Sequence, residues 1–282
     1  MFKSISILLF LTAMVQLGIA QGTKGKNISQ EDWEMRSCSF DSTANALVLL
    51  DVGSAEVHFN RNYCSFKISD FSVLYERHLR IKILNEQGLD AGKLSIILRS
   101  VDGNQDELTF FGGTISWQEK EKVLTQKFNK KVLTKTCFED RSCSLTAVLP
   151  GIRANCIVDV YYTINTKILS DLPIWTFSHD IPVVYSEFKT SMPAFFVYRK
   201  QCSLIGNLGK ESFTRYFKDQ IFCPSEGHGI YYDYNFPLLE EKYWASNVAV
   251  DKSMTEDRQF RCTIESVDFQ SVLIKKSKIV AY

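Results

Sequence analysis

The chain has little proline, little glycine and almost no net charge. Its 282 residues include 6 prolines and 14 glycines, which excludes collagen-like and low-complexity architectures. The 33 basic and 32 acidic residues leave a formal charge of +1, so the chain lacks the basic surface that binds nucleic acid through its phosphates. Hydrophobic residues make up 45% of the chain. This composition is typical of a globular protein with a sizeable core, and no nucleic-acid partner is expected.

Motifs of common catalytic and metal sites are missing as well. The sequence contains no glycine-rich phosphate loop, no G-x-S-x-G and no H-E-x-x-H. No C-x-x-C occurs, which excludes zinc-ribbon and thioredoxin-type sites. Only four histidines are present and they are scattered, whereas a metal site needs three or four converging ligands. We therefore predict no metal, no cofactor and no catalytic activity.

The first 20 residues have the layout of a secretory signal peptide. Lys3 precedes an apolar run, and Gly18 and Ala20 place small residues at the −3 and −1 positions of a cut before Gln21. The alternative is a transmembrane anchor, but the run is shorter than the roughly 20 residues that span a bilayer. We expect residues 1–20 to be removed, which leaves a mature chain of zero net charge without a membrane span. The protein would then be exported, either periplasmic or extracellular.

Export permits disulfides, and the chain has eight cysteines at wide, irregular spacings. They are Cys38, Cys64, Cys137, Cys143, Cys156, Cys202, Cys223 and Cys262. The best disulfide candidate is Cys137 with Cys143, because they flank a short polar stretch that resembles a turn between two strands. The alternative is that both are free and behave as small hydrophobic residues. The even number of cysteines says nothing about how the others connect.

Alternating polarity indicates β-strands. In residues 71–84, one parity is apolar except for Arg77, and the other parity is polar: Glu76, His78, Arg80 and Lys82. Such alternation predicts a long strand with one solvent-facing side. A second long strand is predicted at 156–164, and shorter ones at 46–50, 55–60, 94–98, 108–111, 131–137, 144–149, 183–192 and 259–269. Many short strands separated by turns predict an all-β, antiparallel β-sandwich with few short helices.

Helical signals are weak. Ser29 and Asp32 fit the capping arrangement of a short N-terminal helix, and residues 208–219 and 255–258 are weaker candidates. Six lysines lie between positions 120 and 135. We interpret them as a solvated strand and loop face rather than a site for an anionic ligand, because the surrounding chain cancels their charge.

The pattern loosens after about residue 200. We expect residues 21–44 to be a lead-in and residues 45–200 to form the sandwich domain. Residues 201–282 would extend that domain or begin a second β layer.

Arg77 is a candidate binding residue because it interrupts an apolar parity. We expect a buried or half-buried cation that pairs with a carboxylate such as Glu187 or Asp180. The alternative is a clamp for the carboxylate of a ligand.

Trp175, His179 and Asp180 are the other candidate binding residues. His179 follows Trp175 and Phe177 at period two, so it could be a polar group at the mouth of an aromatic cleft. The alternative is a buried histidine that hydrogen-bonds a backbone carbonyl. The remaining histidines are expected to face solvent: His58, His78 and His228.

Three stretches together resemble a known family. They are Tyr75–Gly88 (YERHLRIKILNEQG), Leu149–Ile152 (LPGI) and Leu172–Glu187 (LPIWTFSHDIPVVYSE). In order and spacing they are similar to the domain of unknown function 3857, over about residues 45–200. That domain typically follows a signal peptide and precedes a transglutaminase-like core in exported bacterial proteins. The resemblance implies a β-sandwich accessory domain without an assigned activity.

The segment 236–241 followed by 260–269 also resembles the passage that leads toward the transglutaminase core. The sequence ends at Tyr282, so the Cys–His–Asp constellation of that core has no segment to match here. Either the domain stands alone, or the chain is a shortened form of the two-domain protein.

The expected function is that of an exported, non-catalytic module. It would bind or position a protein, peptide or cell-envelope partner, with a transglutaminase-like domain on another chain as one such partner. Two alternatives stay open: a cysteine-dependent hydrolase or transferase that uses a cysteine with His179, and a purely structural envelope protein.

Overall fold

The structure is a computed structural model that describes residues 27–59, 71–120, 122–202, 208–225, 228–250, 259–267 and 273–281. The expected signal peptide and the helix candidate at 255–258 lie outside these ranges. The described part is mostly β, so the prediction of an all-β fold is confirmed. Within these ranges, no helix is long and apolar enough to cross a membrane.

The strands are numbered in chain order. They are β1 (Ala46–Phe59), β2 (Phe71–Ile83), β3 (Lys93–Leu98), β4 (Ser100–Val101), β5 (Asn104–Gln105), β6 (Glu107–Glu119), β7 (Lys122–Asn129), β8 (Leu133–Cys137), β9 (Cys143–Val148), β10 (Ile157–Thr166), β11 (Trp175–Thr176), β12 (Val183–Pro193), β13 (Phe196–Cys202), β14 (Gly209–Ser225), β15 (His228–Val248), β16 (Gln259–Val267) and β17 (Leu273–Ala281). The helices within the described ranges are α1 (Gln30–Glu34) and two short 3-10 helices at Glu86–Gly92 and Lys130–Val132.

A nine-stranded sheet organises the described part of the chain, in the order β14-β15-β12-β1-β2-β10-β6-β7 with β17 beside β15. Its neighbours pair antiparallel except β1 and β12, which run parallel. Two three-stranded sheets, β3-β9-β8 and β11-β16-β13, and the β4-β5 pair complete the strands. The sandwich is therefore rich in antiparallel pairs without being purely antiparallel. Strands β14, β15 and β17, from the region after residue 200, belong to the large sheet.

Two expectations about local structure are wrong. Residues 208–219 are not helical, because Gly209–Ser225 forms β14 and pairs along its whole length with β15. Its aromatic residues favour a strand when a partner strand is present. The two predicted strands at 46–50 and 55–60 are one long strand, β1, which is interrupted by a bulge between Val48 and Leu50.

The two faces of the large sheet differ in what covers them. On the face we call inner, Tyr75, Leu79 and Ile81 join one hydrophobic core with residues of the small β3-β9-β8 sheet such as Ile96 and Leu145. The opposite face, which we call outer, carries the polar parity of β2. The alternating sequence of β2 thus corresponds to its two faces, with the apolar parity packed into the core and the polar parity on the outer face.

An N-terminal segment, residues 27–44, covers part of the outer face; we call it the strap. Its helix α1 begins with the expected capping box, in which Ser29 and Asp32 exchange hydrogen bonds. Trp33 and Cys38 of the strap pack with a second apolar cluster on the sheet: Leu47, Leu49, Leu84 and Ile157. Arg80 and Lys82, expected to face solvent, are 3% and 0% exposed because the strap lies over them.

Candidate functional site

Three of the four candidate binding residues come together on the inner face. The guanidinium carbon of Arg77 lies 4.7 Å from the centre of the Trp175 ring, and its Nη2 lies 3.2 Å from Nε2 of His179. Trp175 is fully buried, whereas Arg77 and His179 are partly exposed. Asp180 is separate: it is exposed and lines a cavity of about 470 Å³ with Asp41 and other residues.

A residue that the sequence did not suggest, Asp51, lies at the centre of this inner cluster. Arg77 donates from Nε to Oδ1 at 2.7 Å and from Nη2 to Oδ2 at 2.6 Å. His179 Nε2 lies 2.7 Å from the same Oδ2. The expected partners of Arg77, Glu187 and Asp180, are therefore wrong, because the fully buried Asp51 forms a bidentate ion pair with it. His179 likewise bonds a carboxylate instead of a backbone carbonyl.

The bulge in β1 places Asp51 on the inner face. Before the bulge, Val48 points into the main core and Leu49 points toward the strap. After it the parity is reversed, so that Asp51, opposite Leu79, shares the inner face with Ala55. A bulge that re-aims a side chain is a common device beside polar sites. Without this one, Asp51 would lie on the outer face.

Trp175 can lie above the ion pair because Gly53 has no side chain. A Cβ on Gly53 would overlap the Trp175 ring and lie 2.9 Å from the carbonyl oxygen of Glu76. The indole stacks on Phe188 at 4.9 Å between ring centres, and its Nε1 donates to Oγ of Ser186 at 3.2 Å. The segment that carries Trp175 and His179 is thus held to the sheet by both stacking and hydrogen bonds.

The charges in the inner cluster stabilise one another. Burial alone would raise the pKa of Asp51, but the charge of Arg77 and the hydrogen bonds from His179 and Arg77 lower it below the usual range. Burial would lower the pKa of Arg77, but the charge of Asp51 holds it well above the usual range. Burial raises the pKa of neighbouring Tyr75 well above its usual range, with Tyr162 as the next cause. All three groups therefore keep their ordinary charge states near neutral pH.

This saturation limits what the inner cluster can do chemically. Since the carboxylate of Asp51 accepts from His179, Nε2 of the histidine is a donor, and only its Nδ1 could accept a proton. Both oxygens of Asp51 are occupied as well. Among the described residues, no group of three His, Cys, Asp or Glu could hold a metal ion. The cluster is best described as an inner lock, made of Asp51, Arg77 and His179, that ties a loop to the sheet.

Four cysteines whose bonding state the structure gives do not supply a nucleophile for the lock. Cys137 and Cys143 form the disulfide for which they were the best candidate. Cys38 and Cys156 are free and buried. Burial raises the pKa of Cys156, which disfavours the reactive thiolate.

The outer face carries a second cluster with the same three residue types. Oδ1 of Asp159 lies 2.6 Å from Nε2 of His78 and accepts from Nε of Arg80 at 2.8 Å. The His78 ring stacks on Tyr161 with 4.0 Å between ring centres. The expectation that His78 faces solvent is therefore wrong, since it is packed between a carboxylate and an aromatic ring, whereas His58 is exposed as expected.

The strap is bonded to this outer cluster. Nη1 of Arg80 donates to the carbonyl oxygen of Asn27 at 3.1 Å. The ammonium of Lys82 donates to the carbonyl oxygens of Trp33 and Asn155, both at 3.3 Å. No carboxylate is among these acceptors of Lys82, and burial lowers its pKa to about 8, with the charge of Arg36 as the next cause.

Beyond the strap the outer face is open and aromatic. Tyr161 is 38% exposed and Phe110 is 53% exposed. Tyr161 pairs across the strands with Gly112, and the tip of the Phe110 ring lies 3.5 Å from where a Cβ of Gly112 would be. Phe110, Tyr161 and His78 thus form an aromatic strip across β6, β10 and β2, which is the candidate functional site. Phe110 pairs with Thr163 in the same register in which Gly112 pairs with Tyr161, so Phe110 and Tyr161 lie on the same face.

Reasoning from the sequence missed this strip. Phe110 belongs to a short apolar run that was interpreted only as a strand. The usable signal is the adjacent pair Phe110–Phe111, since neighbouring residues of a strand point to opposite faces. The lysines between positions 120 and 135 are all exposed, as a solvated face requires.

Comparisons with known proteins add little. No protein-family model and no curated protein matches the chain. One solved structure that matches is that of a "putative protease" from Parabacteroides distasonis ATCC 8503, with a TM-score of 0.49 and 11% sequence identity. The match covers 78% of this chain and 40% of that one, so this chain spans less than half the length of that protein. A likeness this distant carries no conclusion about activity.

Proposed function

We propose that the protein is an exported, non-catalytic β-sandwich module that binds or positions a protein, peptide or cell-envelope partner through its outer face. The observation that carries this proposal is the contrast between the two faces. The polar groups of the inner lock are bonded to one another, whereas the aromatic strip is exposed. Exposed aromatic surface rimmed by polar residues marks interaction sites on soluble proteins.

The resemblance to the domain of unknown function 3857 adds a class of partner. It suggests that the partner chain carries a transglutaminase-like catalytic domain. The stretches that carry the resemblance include Arg77 and His179 of the inner lock, and Trp175, which covers it. The lock would then serve the fold of the module, and recognition would be left to the outer face.

Co-sedimentation with isolated bacterial cell envelopes tests the binding proposal. We expect the wild-type protein to sediment with the envelopes and Tyr161→Ala to do so much less. The matched control is Tyr216→Ala on β14, a tyrosine that is 61% exposed and lies away from the strip. Equal sedimentation of wild type and Tyr161→Ala, or none by the wild type, would contradict the proposal.

Thiol labelling of the native protein tests the competing enzyme. We expect Cys38 and Cys156 to react only after unfolding, because both are buried. A cysteine nucleophile activated by His179 would label fast, and its rate would fall in His179→Asn. That result would overturn the non-catalytic assignment.

A further inference from the structure

Strand β14 forms one end of the nine-stranded sheet. On one side it pairs along its whole length with β15, and no described strand pairs with its other side. From Gly209 to Lys218 the strand contains no proline, and no register shift interrupts its pairing. Phe213 and Tyr216 on this stretch are 52% and 61% exposed. A long edge strand with exposed apolar side chains is a template for pairing with another strand.

The charges of β14 favour a second copy of the same strand as its partner. Two identical strands related by a two-fold axis run antiparallel, and each contact between them occurs twice. Pairs in an antiparallel ladder alternate between two types, so the axis must pass through a residue that faces its own copy. If that residue is Phe213, Glu211 of each copy faces Arg215 of the other. Opposite charges directly across from each other stabilise a strand pair.

This match is specific to one register. Among axes at residues 211–216, the axis at Phe213 alone places opposite charges across from each other. An axis at Thr214 places Lys210 opposite Lys218 of the second copy, and like charges in that position are destabilising. The axis at Phe213 also places an exposed ring beside its own copy, and such aromatic pairs are favourable.

Glu211 and Arg215 can make these contacts and keep the ones they have. The side chain of Glu211 is 42% exposed and lies 2.5 Å from Nζ of Lys242. That of Arg215 is 51% exposed and lies 2.5 Å from Glu240. A carboxylate accepts from more than one donor, and a guanidinium donates to more than one acceptor. Each contact would therefore complete a row of four alternating charges across the two copies.

We propose that the protein forms a homodimer in which two copies pair antiparallel through their β14 edges, about a two-fold axis at Phe213. The large sheet of one copy then continues into that of the other. The aromatic strip lies on β6, β10 and β2, away from the β14 end of the sheet. The dimer therefore goes beyond the proposed function and does not depend on it.

Size-exclusion chromatography with light scattering, over a range of concentrations of the mature chain, tests the dimer. We expect wild type to dimerise. Glu211→Arg and Arg215→Glu should each raise the dissociation constant about tenfold or more, because each variant alone opposes like charges at both contacts. Mixed in equal amounts, the two variants should form a heterodimer, since the mixture restores opposite charges at both contacts. Lys218→Glu is the matched control, because in this register its residue faces the uncharged Leu208, and it should dimerise as wild type does.

The mixing experiment separates pairing between copies from effects within one chain. Each variant disturbs its own contact with Lys242 or Glu240 equally in the mixture and alone. Variants that lose dimerisation without recovering it when mixed would overturn the proposal, as would variants that dimerise as wild type does. A wild type that stays monomeric up to about 100 μM would overturn it as well. If circular dichroism shows that a charge reversal unfolds the chain, Glu211→Gln and Arg215→Gln replace the pair, and an unchanged dimer in both would contradict the interface.

Discussion

An aspartate, an arginine and a histidine meet on each face of the central sheet, and both arginines come from β2. On the inner face Asp51 uses both oxygens, Arg77 binds it through two nitrogens, and Trp175 covers the pair. On the outer face one oxygen of Asp159 contacts both His78 and Arg80, and His78 stacks on the exposed Tyr161. The residue types are the same and both clusters are largely buried, so the clusters differ in their pairing geometry and in what lies beside them: buried Trp175 on the inner face and exposed Tyr161 on the outer face.

Removing the aspartate from each cluster should give the largest difference between the faces. Asp51→Ala leaves the guanidinium of Arg77 without its carboxylate in the core, and we expect the free energy of unfolding to fall by about 3–5 kcal/mol. Asp159→Ala should cost about 2 kcal/mol, because Arg80 keeps Asn27 and a longer contact with Asp32. Urea unfolding followed by circular dichroism measures both.

Acid should weaken the same contrast. The pKa of Asp51 is lowered in the fold. The contribution of its carboxylate to the free energy of unfolding is therefore present above the pKa of the unfolded chain, about 3.9, and is lost as pH falls through the pKa of the folded protein. Equal losses for Asp51→Ala and Asp159→Ala at neutral pH would show that the bidentate pairing of Asp51 with Arg77 does not matter.

The strap over the outer face should give the next largest effect, through Lys82. Its pKa is about 8 in the fold against 10.5 normally, so the protonated form is disfavoured by folding. The penalty is complete below pH 8 and disappears above 10.5, because the unfolded chain binds more protons between these values. We expect wild type to gain on the order of 2–3 kcal/mol over this interval relative to Lys82→Met.

Lys127→Met is the matched control for this titration. Lys127 is exposed on β7, so its replacement should leave the pH dependence of the urea midpoint equal to that of wild type. The comparison with Lys82→Met removes the contributions of tyrosines and cysteines that titrate in the same range. A parallel pH profile for wild type and Lys82→Met would show that the strap does not bury the ammonium.

Glycines beside aromatic rings should also distinguish the faces. Gly53→Ala inserts a methyl into the Trp175 ring and against backbone, so we expect a loss of about 1–3 kcal/mol. A Cβ on Gly112 of β6 would lie 3.1 Å from the backbone carbonyl oxygen of Phe128 and 3.5 Å from the exposed Phe110 ring, both farther than the atoms that Gly53→Ala meets. The loss of stability in Gly112→Ala should be smaller than that in Gly53→Ala, and urea unfolding of the two variants measures the difference. A larger loss for Gly112→Ala would mean that the β6–β7 backbone at Phe128 yields less than the Trp175 ring does.

The sequence predicts the all-β fold and the unusual position of Arg77, because both follow from alternating polarity. It does not predict Asp51 as the partner, since the bulge reverses parity inside what resembles two short strands. Alternation also cannot distinguish a solvent-facing side from one covered by a distant segment. Arg80 and Lys82 were therefore assigned to solvent, although the strap buries them. These errors concern tertiary contacts that no local pattern records.

The two histidines give the smallest test. His78→Ala loses a bond to Asp159 and a stacked ring, while Arg80 still holds that carboxylate, so we expect a loss of about 1 kcal/mol. His179→Ala removes one of the donors to the fully buried Asp51, and should cost about 2 kcal/mol. Tyr161 also loses its stacking partner in His78→Ala, so sedimentation with cell envelopes should fall there and stay unchanged in His179→Ala. The reverse pattern of sedimentation would place recognition on the inner face and would remove the distinction between the two clusters.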